Sequence, residues 1–116
     1  MAIVLNKQAI EQAKRLIESG EITTFGSNWA AEKGTVDEVN HYLNAHTLEE
    51  YGTWYLGINS EVPKTLKEHY DYPYGDLKTV QRPALVDSIK RAEQSGHKEI
   101  VNAAKQLLEM VDQQAE

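Results

Sequence analysis

The stretch from Pro83 to residue 113 constrains the fold more than any other part of the chain. Leu85, Val86, Ile89 and Ala92 recur on one helical face behind a proline suited to a first helical turn. Gly96 ends that pattern, and after His97 a second run, Ile100, Ala103, Ala104, Leu107, Leu108 and Val111, gives the clearest helical periodicity in the sequence. Only Ser95, Gly96 and His97 separate the two runs, so the helices must fold back as an antiparallel hairpin. Alanines 92, 103 and 104 allow the two backbones to approach closely.

A second amphipathic pattern lies at the start. Ile10, Ala13, Leu16 and Ile17 predict a helix over about 7–19, with Asn6 placed to cap it and Gly20 to close it. Thr35 with Glu38, and Thr47 with Glu50, each form a Thr-x-x-Glu capping box. They predict a helix over about 36–45 and a short one through Leu48–Tyr51 ending at Gly52. Between residues 20 and 34, Phe25 and Trp29 are read as anchors of an irregular stretch or short turn. TWYLGIN, 53–59, is rich in strand-favouring side chains, and a helical turn is expected after Pro63.

The expected fold class is therefore mainly α: a small single-domain helical bundle, with room for one short β-pair. Residues 1–50 supply the N-terminal helices, 51–82 an aromatic and proline-rich loop segment, and 83–113 the hairpin. At 116 residues one core suffices, and no linker or repeat divides the chain.

Charge narrows the function classes. The net charge is −6, and the segments 1–46, 47–82 and 83–116 each carry six acidic and four basic side chains. A surface that is mildly negative throughout weighs against binding nucleic acid or an anionic membrane. The absence of cysteine removes disulfides, thiol nucleophiles and thiolate metal sites. MAIVL is too short for a signal-peptide core or a membrane span, which makes cytoplasmic residence the expectation. The strong nucleotide, zinc-hydrolase, serine-hydrolase and EF-hand motifs are missing, and no cofactor is implied.

The richest chemical feature is aromatic. Six of nine aromatic residues, Tyr51, Trp54, Tyr55, Tyr70, Tyr72 and Tyr74, fall within 24 positions. If 70–74 is extended, as Pro73 encourages, the three tyrosines project to one side as a stacking surface for sugars, nucleobases or a partner. The competing reading, favoured for so small a domain, packs them over Trp54 and Leu56 as core. A tight YPYG turn would instead break the row. Arg82, just before the hairpin, is expected to pair with Asp76 or Asp71 and pin the loop.

Residues 70–112 also resemble a family of small bacterial proteins of unknown function and a segment of some phage prohead-protease polypeptides. The resemblance is carried by Tyr72–Gly75, Val80–Leu85, Arg91 with Ala92, and Ala103–Leu108, and it departs at Pro83, where a small capping residue is expected. It implies a helical hairpin preceded by an aromatic-proline loop and carries over no protease activity.

Three functional expectations follow. The leading one is a non-catalytic interaction module, of phage or prophage origin, contacting a protein partner through Trp54, Tyr70, Tyr72, Tyr74, Asp76 and Arg82. The second is a small hydrolase or carbohydrate-binding protein with Asp71, Asp76 and His69 around an aromatic cleft. The third, a divalent-metal protein, rests on Asp37 and His41, four apart on one helix face, with His46 beyond the helix end and nothing nearby to fix it. Of the other histidines, His97 is read as the start of the last helix.

Overall fold

The structure, a computed structural model, describes residues 3–23, 36–75, 77 and 79–115, with 36–39 and 115 described by backbone alone. The expectations placed on Phe25, Trp29, the Thr35–Glu38 capping box, the Asp37 side chain and Asp76 lie outside the described residues.

The elements run β1 (Ile3–Leu5), α1 (Lys7–Glu18), β2 (Ile22–Thr23), α2 (Val36–Ala45), α3 (Leu48–Gly52), β3 (Tyr55–Asn59), a 3-10 turn (Lys67–His69), β4 (Tyr70–Pro73), β5 (Val80–Gln81), α4 (Arg82–Ser95) and α5 (Lys98–Ala115). This corrects the mainly α expectation: the fold is α+β. A three-stranded antiparallel sheet, in the order β1-β3-β4, and a parallel pair, β2 with β5, accompany the helices.

The reason the sheet escapes a sequence reading is physical. Its strands are two to five residues long, too short for a period of two to stand out, and β1 pairs across more than fifty positions, Ile3 opposite Asn59. β4 carries Pro73 at the sheet edge, where a missing N–H leaves no ladder bond unmade.

Asn6 illustrates how the first strand and helix are tied down. It occupies the N-cap position of α1 with extended backbone, yet its side chain makes no capping bond. Its Nδ2 donates instead to the carbonyls of Gly52 (3.0 Å) and Tyr55 (3.1 Å), and its backbone N–H donates to Leu56 (2.8 Å). The buried amide thus satisfies backbone groups at the α3–β3 junction, which would cost about 1–3 kcal/mol each if left unmade.

Helices α4 and α5 run antiparallel through Gly96 and His97. Gly96 sits at φ +75°, a left-handed conformation that a residue without Cβ adopts freely, and His97 N–H closes on Ala92 O at 2.9 Å. Arg82, at the start of α4, reaches Asp112 near the end of α5 with a two-pronged ion pair, Nε–Oδ1 2.8 Å and Nη2–Oδ2 3.3 Å. Its partner is Asp112 and not the expected Asp71, which pairs with Arg91, because the antiparallel hairpin brings residue 112 alongside residue 82. Between the hairpin, α1 and the sheet lies the core, built from Ala9, Ala13 and Ile17, Leu85 and Ile89, and Ile100, Ala104, Leu107 and Val111.

Gly75 is a point of close approach. A Cβ there would stand inside contact distance of the Thr79 carbonyl oxygen and 2.8 Å from the Trp54 ring. At Gly96 a Cβ meets nothing within 4 Å, and only the backbone conformation resists it. Gly75→Ala is therefore expected to cost about 3 kcal/mol, the upper range of overpacking, and Gly96→Ala about 1 kcal/mol. Urea denaturation of both variants checks the order, which reverses if Gly75 is not enclosed.

Candidate functional site

The aromatic segment is mostly interior. Trp54 and Tyr72 are 6% and 3% exposed, and Tyr74 is fully buried. Trp54 and Tyr74 stack with ring centroids 5.4 Å apart; the Tyr74 hydroxyl donates to Thr53 O (2.8 Å) and accepts from Gln12 Nε2 (3.3 Å). Burial pushes the Tyr74 phenol far above its ordinary pKa, with the Gln12 hydrogen bond working the other way.

The burial of Tyr72 and Tyr74 agrees with the favoured reading, rings packed as core rather than a free stacking row, and within β4 Tyr72 takes a left-handed backbone, φ +63°. The Tyr72 ring lies under the Arg91 guanidinium, 5.1 Å from its centroid, and its hydroxyl is 2.7 Å from His97 Nδ1. Three of the predicted contact residues, Trp54, Tyr72 and Tyr74, therefore offer no free ring face. Tyr70 is half-buried, edge-on to Tyr51 and to His69. Arg82 is partly exposed but engaged with Asp112.

Of the residues weighed for hydrolysis, Asp71 and His69 are likewise occupied. Asp71 Oδ1 accepts from the Tyr72 N–H (2.7 Å) and from Arg91 Nη2 (3.1 Å). His69 is buried, with Nδ1 2.7 Å from the Val62 carbonyl, an oxygen that only accepts, so this nitrogen donates. His41 is exposed on α2, and among the described residues no three His, Asp or Glu are grouped to hold a metal ion.

A different feature emerges where α1 faces the α2–α3 pair: a half-open groove of about 500 Å³. Residues 12, 15, 16 and 19 share one face of α1 at helical spacing, and Gln12, Arg15 and Leu16 line the first wall. The opposite wall follows from the second capping box. Thr47 Oγ1 accepts from Glu50 N–H (3.1 Å) while Glu50 Oε1 accepts from Thr47 N–H (3.0 Å), which fixes the start of α3. Glu50 then turns back to His46, Nδ1–Oε2 3.3 Å, and the His46 ring stacks on Tyr42 one turn earlier, centroids 4.1 Å apart and 18° from parallel.

His46 is thus held on both sides, by Glu50 and by Tyr42. Trp54 and Leu77 also line the groove. Arg15, exposed on α1, makes no ion pair among the described residues.

Electrostatics differ along the walls. Burial raises the Tyr42 phenol above its ordinary value, a hydrogen bond with Trp54 partly opposing it and the Glu50 charge adding to it. Glu50 is lowered, first by the Thr47 backbone N–H and then by the hydrogen bond with His46.

Sequence reasoning passed over this groove, although two signals for it were present: Gln12, Arg15, Leu16 and Ser19 at i, i+3, i+4, i+7, and His46 four residues before the capping Glu50. No protein-family model, curated protein or solved structure matches the chain, so the resemblance of residues 70–112 rests on the residues alone. Among the described residues no helix is long and apolar enough to cross a membrane.

The lowered Glu50 carboxyl sets a pH dependence. A carboxylate whose folded-state pKa is depressed stabilises the fold above its unfolded value, about 4.3, and loses that contribution as pH falls through the depressed value. Wild type should therefore lose more of its urea midpoint than Glu50→Gln when taken from pH 6 to pH 3. Equal losses would show that the charge on Glu50 contributes nothing to the cap.

Proposed function

We propose that this chain is a non-catalytic binding module whose contact site is the groove between α1 and α2–α3, and not the tyrosine segment. The observation that supports it most directly is Arg15. It is a guanidinium with no ion pair among the described residues, set in a groove that the stacked Tyr42–His46 rings and Trp54 also line. Concave sites with aromatic walls and a few convergent polar groups are where small ligands and short partner segments bind. Rings already stacked on each other are pre-organised, which lowers the entropy lost on binding.

The non-catalytic part of the reading draws on the same geometry. The His–carboxylate pair in the groove, His46 with Glu50, is exposed, and Glu50 is committed to the helix cap. Among the described residues no hydroxyl is hydrogen-bonded to the His46 imidazole, as nucleophilic activation would require.

A screen of amino acids, organic acids, sugars and short peptides, read as amide chemical shifts of the labelled protein, tests the assignment. Saturable shifts should cluster on Gln12, Arg15, Tyr42 and His46, and Tyr42→Ala should abolish them while leaving the amides of α5 in place. Shifts confined to Tyr70–Pro73, or no saturable shift from any class of compound, would overturn the groove as the contact site.

A further inference from the structure

This inference rests on the groove being the contact site and names the chemistry it takes. We infer that the groove accepts a small zwitterion carrying an aromatic ring, the chemistry of a free aromatic α-amino acid.

Three features of the lining converge on that class. Arg15 offers a planar, two-pronged donor, which matches a carboxylate, and it has no carboxylate partner among the described residues. Glu21 and Glu50 also border the groove, so among the described residues its lining carries one guanidinium and two carboxylates. That balance disfavours phosphates and dicarboxylates, whose second negative charge would meet an excess of carboxylate. It favours a ligand that brings its own cation, an ammonium for the carboxylate side.

Glu50 already serves the helix cap and His46, which leaves Glu21 as the acceptor for that ammonium: it forms no ion pair among the described residues. Finally, Tyr42, His46 and Trp54 all border the groove, Tyr42 and His46 stacked on each other with centroids 4.1 Å apart, so the lining offers aromatic partners to an incoming ring.

Size agrees with charge. A volume of about 500 Å³ lies within the range of pockets that hold small organic ligands. A peptide terminus supplies either the ammonium or the carboxylate on its last residue, but only the free amino acid supplies both beside one ring.

The test is a titration of the full chain with L-phenylalanine, L-tyrosine and L-tryptophan, followed by amide shifts and by calorimetry. N-acetylphenylalanine removes the ammonium, phenylalaninamide removes the carboxylate, and L-alanine removes the ring. Each control should weaken binding by about tenfold or more, the equivalent of one lost charge-assisted contact. Arg15→Gln should erase the preference for phenylalanine over its amide, and Glu21→Gln the preference over its N-acetyl derivative. Both side chains are exposed, so neither variant should change the thermal midpoint appreciably.

If the acetylated and amidated compounds bind as tightly as phenylalanine, the zwitterion assignment falls while the groove remains the contact site. If no probe shifts the groove amides, the groove reading falls with it.

Discussion

The left-handed backbone at Tyr72 is the constraint on which the rest of the arrangement depends. A tyrosine at φ +63° carries a conformational cost of about 1–3 kcal/mol, and it persists only where its surroundings hold it. Here they do so from three directions. The hydroxyl bonds to His97 in the hairpin turn, the Arg91 guanidinium of α4 lies over the ring, and Asp71 accepts from both the Tyr72 N–H and Arg91. A hydrogen bond of this kind contributes about 1 kcal/mol and a partly exposed cation–π contact about 0.5–1 kcal/mol. Burial of the ring supplies the remainder.

That one residue links the sheet to α4 and to the turn of the hairpin. With β4 fixed, Ser88 on α4 can donate to the Pro73 carbonyl at 2.9 Å, and Tyr74 is delivered beneath Trp54. The stacked Trp54–Tyr74 pair then meets Gln12 of α1, whose neighbours Arg15 and Leu16 form the groove wall. Of the aromatic concentration in residues 51–74, Trp54 lines the concavity bordered by α1, α2 and α3, and Tyr74 packs behind it.

Legibility in the sequence followed the range of each interaction. The helices α1, α4 and α5 are written in local periodicity and in a proline and a glycine at their ends, and α3 in a reciprocal cap between residues three apart. The strands are written in pairings such as Ile3 with Asn59 and Ile22 with Val80, which no local window contains. The same distinction explains individual residues. Arg82 was assigned a partner nearby in sequence, whereas the hairpin supplies one thirty residues away. Asn6 looks like a cap from its position, but its amide is used by carbonyls 46 and 49 positions on. The groove needs three elements at once, so its members appeared in the sequence only as separate, ordinary spacings.

A double-mutant cycle between Tyr72→Phe and His97→Ala, read by urea denaturation, tests most directly whether Tyr72 clamps the sheet to the hairpin. The account predicts a coupling energy of about 1 kcal/mol or more, as for partners in one hydrogen-bonded network. Additivity of the two substitutions to within about 0.3 kcal/mol would contradict it, because the ring and the hairpin turn would then be stabilised independently.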